Sequence, residues 1–185
     1  MSFRYEIRLS GEGGQGLVLA GKVLAEAAAI YDDKNATQSQ SYGPEARGGA
    51  SRSEVIISDE DIDYPKAVNI DLLLALTQES VSRYWRDLKQ DGVLLVDEDA
   101  VTEVPQGGFT TYRVPIVRIA RDQVGKALVA NIVALGLITG LAGVVSQAAV
   151  EAAILARVPK GTEELNLRAF KAGFEAAKSL KNGSK

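Results

Sequence analysis

Two glycine-rich clusters hold the residues best suited to chemistry. Gly11-Glu12-Gly13-Gly14-Gln15-Gly16 follows an alternating stretch and precedes a helical one. Glycines where a helix begins leave backbone amides open to an anion such as a pyrophosphate. The second cluster is Tyr42-Gly43-Pro44-Glu45-Ala46-Arg47-Gly48-Gly49-Ala50-Ser51. Its glycine pairs admit another chain or a ligand closely, and Arg47 offers a five-donor fork for a carboxylate or phosphate. Glu45 is spaced to hold that guanidinium. The competing reading is an ordinary loop with a surface ion pair of little energetic weight.

Other patterns are decoys. Gly11 to Gly16 matches G-x-G-x-x-G, but a dinucleotide site also needs a ribose-binding carboxylate ending a second hydrophobic strand about 20 residues on. The acids at that distance, Asp32 and Asp33, follow Ala27-Ala28-Ala29-Ile30-Tyr31, which reads as helix, and a polar stretch comes after them. Gly16-Leu17-Val18-Leu19-Ala20-Gly21-Lys22-Val23 has P-loop spacing, yet Val23 stands where a hydroxyl must meet magnesium. Its middle residues are apolar at helical spacing and belong in a core. Asp97-Glu98-Asp99 admits reading as an acidic metal patch, with a solvated strand end as the plainer alternative. Thiamine diphosphate sites are signalled by Gly-Asp-Gly, which does not occur here.

Composition narrows the chemistry further. The 185 residues include no Cys and no His. This excludes disulfides, thiolate metal sites, cysteine-held iron–sulfur clusters, imidazole acid–base catalysis and a Ser-His-Asp triad. A net charge of −3 with interspersed charges points away from nucleic acid. The opening residues lack the apolar region of a signal peptide, so the cytoplasm is the expected compartment. Ala127 to Val145 is nineteen residues without a charge, near spanning length. Asn131, Gly136, Gly140, Gly143 and the absence of flanking basic clusters favour a buried core helix with a close helix–helix approach over a membrane span.

These elements must position the clusters. Arg4 to Leu9, Thr37 to Tyr42, Ser51 to Ser58, Asp71 to Leu76, Gly92 to Val96 and Thr110 to Val114 read as strands. Leu17 to Tyr31, Gln78 to Leu88, Asp122 to Ala142, Gln147 to Ala156 and Glu163 to Leu180 read as helices, with Thr77 and Ser146 as N-caps and Gly143 as a stop. Alternation predicts an α/β fold: three layers, α/β/α, about a mainly parallel central sheet. Antiparallel pairing of the strands near residues 40 and 55 would make it mixed. One domain is expected over 1–185, with 181–185 as a frayed tail.

Taken together, Gly11 to Gly16, Ala20-Gly21-Lys22-Val23-Leu24-Ala25-Glu26-Ala27, Tyr42 to Gly49 and Asp71-Leu72-Leu73-Leu74-Ala75-Leu76 resemble the gamma subunit, or gamma domain, of 2-oxoacid:ferredoxin oxidoreductases. The resemblance covers nearly the whole chain. Tyr-Gly-Pro-Glu-x-Arg-Gly-Gly is closer to the 2-oxoglutarate branch than to pyruvate-type chains, which tend to carry Phe-Phe-Gly-x-Glu-Arg-Arg-Gly. The resemblance implies an enzyme that converts a 2-oxoacid and coenzyme A to acyl-CoA and CO2 with reduction of ferredoxin. It implies thiamine diphosphate, magnesium and iron–sulfur clusters on other subunits, with alpha, beta and ferredoxin-like delta chains as partners. This chain would then serve assembly and gating of coenzyme A, with no catalytic residue, metal or redox centre of its own. Gly11, Gly13, Gly14, Gln15, Gly16, Tyr42, Gly43, Pro44, Glu45, Arg47, Gly48 and Gly49 are its candidate cofactor or subunit contacts. A homodimer is an option for the isolated chain. A dinucleotide-binding oxidoreductase and a non-enzymatic ligand-binding module are the alternatives.

Overall fold

The computed structural model describes residues 2–41 and 50–183. Six strands form one sheet: β1 (Arg4–Gly11), β2 (Asn35–Ser41), β3 (Ser51–Ser58), β4 (Ile70–Ala75), β5 (Leu88–Asp97) and β6 (Thr110–Val114), in the order β2-β3-β1-β4-β5-β6. β1, β4, β5 and β6 run parallel. β3 runs against both β1 and β2, so the sheet is mixed at the expected place. Alternation decides the faces. On β1, Ile7 and Leu9 point to one side, while Glu6, Arg8 and Ser10 point to the other. β4 has no polar side to spare: Leu72, Leu73, Leu74 and Ala75 are all fully buried, as a strand covered on both faces must be.

The helical layers are unequal. One face carries α1 (Leu17–Glu26), α3 (Ile116–Ile119), α4 (Ala130–Ala142), α5 (Gln147–Arg157) and α6 (Glu163–Asn182). The other carries the short α2 (Gln78–Tyr84) over Ile56, Leu73, Leu94 and Val96. α4 is apolar nearly all round and buried along most of its length, the pattern of a central helix. None of the helices among the described residues is long and apolar enough to cross a membrane.

Several boundaries differ from the sequence reading. The helix expected over Leu17 to Tyr31 changes at Ala27 into a π-helical turn, Ala27–Tyr31, because Asp32 N–H reaches back to the Ala27 carbonyl. The helix expected over Asp122 to Ala142 is three pieces: the end of a π-helical turn Ala120–Val124 that continues α3, a 3₁₀ turn Ala127–Val129, and α4. Gly125, at φ 102°, makes the break. α2 stops at Tyr84, a 3₁₀ turn follows over Trp85–Asp87, and Leu88 already belongs to β5. α6 runs through Lys181 and Asn182, into the expected tail. Both predicted N-caps form: the Thr77 hydroxyl accepts from Ser80 N–H at 3.1 Å and the Ser146 hydroxyl from Ala149 N–H at 3.2 Å.

Candidate functional site

The first glycine cluster sits at the carboxyl end of β1, where the turn reverses the chain into α1. This lies beside a switch in the sheet's winding. β1 leads to α1 on one face, whereas the neighbouring β4 leads to α2 on the other. Crevices outside the carboxyl ends of strands at such points are where open α/β sheets receive ligands. Leu76, just past β4, donates its N–H to the Ser10 carbonyl at 3.0 Å and closes the crevice floor.

Each residue of the turn has a definable part. Gln15 folds its side chain back, and its Oε1 accepts the Glu12 N–H at 2.6 Å. Gly14 and Gly16 take φ of 87° and 75°, which a side chain would strain. Asn131, at the start of α4, donates Nδ2–H to the Gly16 carbonyl at 3.0 Å, and a Cβ on Gly16 would collide with that amide. Gly13 is different: nothing lies within 4 Å of where its Cβ would be. No side chain caps the start of α1, so the Leu17, Val18 and Leu19 amides have no such acceptor.

Two cavities of about 290 Å³ each flank the turn. One is bounded by Gly14, Gly16, Leu19, Lys126 and Asn131, the other by Gly14, Gln15, Leu76 and Val117. Leu128, 79% exposed, lines both. The crevice thus offers uncapped amides, one lysine and apolar walls. Glu12 is exposed on the same turn, so an anion held here relies on directed N–H donors rather than on a broad positive field.

Of the candidate residues, the structure places Gly11, Gly13, Gly14, Gln15 and Gly16 together in this turn. Tyr42, Gly43, Pro44, Glu45, Arg47, Gly48 and Gly49 lie outside the described residues. The flanking ends of that segment are near the crevice. Ser51 Oγ donates to the Gly11 carbonyl at 3.3 Å, and Ser10 Oγ lies 3.0 Å from the Ser51 carbonyl and 2.8 Å from Ser80 Oγ. Sequence reasoning missed Lys126, Leu128 and Asn131 as neighbours of the turn. Gly125 was the available signal, since a glycine there breaks the helix and turns this segment toward the crevice.

The decoys resolve by position. Asn35, at the start of β2, is in register with Ser58 and hence with Arg4, at the far end of β1. Asp32 therefore lies roughly 23 Å or more from the glycine turn, at ~3.3 Å per strand residue. Its carboxylate is also engaged, accepting Ser146 N–H at 2.6 Å and Ser146 Oγ–H at 2.7 Å. A ribose at the crevice has no carboxylate from this residue. In the P-loop look-alike, Leu17, Ala20 and Val23 are in the core and Gly21 packs on Ser53. Asp97 is not at a solvated strand end. It is buried, accepting Ala100 N–H at 3.0 Å and Val117 N–H at 3.1 Å. Arg118 holds Glu98 and Asp99. Among the described residues, no group of three or more acidic residues converges to hold a metal ion.

The chain is similar to known proteins along nearly its whole length. The chain is 54% identical over 182 residues to a 2-oxoglutarate synthase subunit, KorC, of Methanocaldococcus jannaschii, covering 97% of both chains. A keto/oxoacid ferredoxin oxidoreductase gamma subunit from Geobacter sulfurreducens superposes with a TM-score of 0.89 at 57% identity, over 96% of this chain and 98% of that one. The fold recurs at 22% identity and a TM-score of 0.82 within 31% of a longer chain, that of 2-oxoglutarate:ferredoxin oxidoreductase from Magnetococcus marinus, solved with 2-oxoglutarate, coenzyme A and succinyl-CoA bound. The family profile for pyruvate ferredoxin/flavodoxin oxidoreductase matches residues 6–176. With its mixed sheet, its glycine turn at the switch point and this whole-length match, the chain belongs to the pyruvate ferredoxin/flavodoxin oxidoreductase family.

Proposed function

We propose that this chain is the gamma subunit of a cytoplasmic 2-oxoglutarate:ferredoxin oxidoreductase, working with alpha, beta and ferredoxin-like delta subunits. The observation that carries the reading is the 54% identity, end to end, to a 2-oxoglutarate synthase subunit. The chain's own chemistry supports a non-catalytic role. It has no Cys or His, and among the described residues its buried acids are engaged: Asp97 by two backbone N–H groups, Glu6 by Arg4 and the Val68 and Asn69 amides, and Glu54 by Arg8 and Arg52. Thiamine diphosphate, magnesium and iron–sulfur clusters are assigned to the other subunits. This chain contributes assembly and access of coenzyme A to the reacting centre.

Within that role, the Gly11 to Gly16 turn receives an anionic group such as a phosphate of coenzyme A. The uncapped amides of α1 and Lys126 supply donors, and the cavity wall at Leu19 and Leu128 takes apolar atoms. Arg47 and its neighbours act as a docking or gating segment. The decisive experiment co-expresses the four subunits and measures 2-oxoglutarate- and coenzyme A-dependent dye reduction. Gly13→Asp, at a position with open space around it, sets a carboxylate in the path of the anion. It should leave assembly and kcat near the parent values and raise KM for coenzyme A about tenfold, equivalent to about 1.4 kcal/mol of lost binding. An unchanged KM removes the turn from coenzyme A binding and leaves it an assembly role. Activity that survives complete omission of this chain overturns the subunit reading. Arg47→Ala separates two roles for its loop: lost co-purification means docking, and intact assembly with a raised KM for coenzyme A means gating.

A further inference from the structure

The two edges of the sheet are built in opposite ways. β6 is five residues long, carries Arg113 and is followed directly by Pro115. Short length, a charge and a proline are the usual protections of an edge against pairing. β2 has none of them. Its seven residues, Asn35-Ala36-Thr37-Gln38-Ser39-Gln40-Ser41, include no charge, proline or glycine. Among the described residues its backbone ladder is with β3 alone, so the other side of the strand carries open N–H and C=O groups. Just before it, Ile30 and Tyr31 are 67% and 45% exposed on the π-helical turn, leaving apolar surface beside that edge.

We propose that β2 is a self-pairing edge: it aligns antiparallel with β2 of a second copy about a two-fold axis at Gln38, joining two sheets into one. The sequence complements its own reverse in this register. Asn35 falls opposite Ser41, Thr37 opposite Ser39, Ala36 opposite Gln40, and Gln38 opposite itself. Every pair is neutral, and all but Ala36–Gln40 join two side chains able to hydrogen-bond each other, the kind of cross-strand pair that stabilises a ladder. The charges of Asp32, Asp33 and Lys34 precede the strand, so they sit at opposite ends of the joint in the two copies and no like charges meet. Specificity for a different chain along a strand edge comes from side chains that fit or repel that partner, charged or large apolar ones foremost. β2 shows neither, which is why the occupant is a second copy.

The absence of cysteine makes the register testable in the full chain. Light scattering on the purified chain should give twice the 19.7 kDa protomer mass. Ser39→Lys with Gln40→Lys, at two exposed edge positions, should give a monomer with an unchanged circular dichroism spectrum. Gln38→Cys should form a disulfide-linked dimer under mild oxidation, because residues facing one another across an antiparallel pair come close to disulfide distance. Asn35→Cys, whose mate lies at the far end of the ladder, should not. A wild-type chain at protomer mass, a double-lysine variant that stays dimeric, or crosslinking at residue 35 as efficient as at 38 overturns the proposal.

Discussion

Gly136 of α4 and Gly173 of α6 lie against one another where the two helices cross. A Cβ on Gly136 would stand 3.0 Å from the Gly173 carbonyl carbon and 2.6 Å from the Phe174 nitrogen, besides striking the Phe170 carbonyl. A Cβ on Gly173 would strike the Val133 carbonyl in turn. The obstructing atoms are backbone, so no rotamer change relieves the contact. Gly136→Ala or Gly173→Ala should therefore cost about 2–3 kcal/mol and lower Tm by roughly 4–12 °C. Gly183→Ala, whose Cβ would meet only ordinary contacts at 3.5 and 3.9 Å, is the control and should melt within about 1 °C of the parent.

Asp32→Ala removes the acceptor for both the Ser146 amide and hydroxyl and loosens the start of α5. Thermal unfolding should show a loss of about 1–2 kcal/mol. Calorimetry with NAD or NADP should show no micromolar binding in either the parent or the variant, because this carboxylate is at the opposite end of the sheet from the glycine turn. A parent chain that binds NAD at micromolar Kd would restore the dinucleotide reading.

Asp97→Ala strips two part-buried N–H groups, those of Ala100 and Val117, of their acceptor. Denaturant unfolding should report a loss of about 1–2 kcal/mol. Elemental analysis should find the same metal content, near zero, in the parent and the variant.

Tyr5 predicts an alkaline response. Burial, and secondarily the carboxylate of Asp71, raise its phenol pKa above the ordinary value. A group whose folded pKa is raised lends stability that is complete below the unfolded value, about 10, and is lost as pH rises beyond it. Melting curves taken between about pH 9 and 11 should show the parent losing Tm with pH, and Tyr5→Phe losing less. Parallel slopes for the two proteins would exclude Tyr5 as a source of the alkaline loss.

The legible parts of the fold were those set by local chemistry. Ser51–Ser58 reads as a strand because Val55-Ile56-Ile57 make it β-branched, and Thr77 and Ser146 read as caps because a hydroxyl precedes a helical run. What escaped was set by distant partners. Lys89, Gln90 and Asp91 look like a polar loop, yet they lie in β5 because Leu88 pairs with Ile70 and Lys89 bonds Asp71 at 2.8 Å. Ala27–Tyr31 has an ordinary helical pattern. Its widening reflects the chain turning out at Asp32, while Lys34 Nζ donates to the Val144 carbonyl. At the candidate site, the glycines were visible because backbone freedom is written in residue type. Leu128 was hidden among apolar neighbours of the same kind, and only the break at Gly125 brings it outward.

The hydrogen bond from Asn131 to Gly16 spans 115 residues of chain, and it gives the glycine turn a history as well as a shape. On a ribosome adding about 5–20 residues per second, Asn131 is made roughly 6–23 s after the turn it steadies. For that interval the Gly16 carbonyl has only the Ala20 N–H of its own helix as a donor, and no wall stands opposite the turn. In the proposed role, capture of coenzyme A or of a sister subunit through this turn has to wait for the second half of the chain. A ribosome-bound fragment ending before residue 131 should fail to engage a partner there, and one that extends through α4 and clears the exit tunnel should succeed.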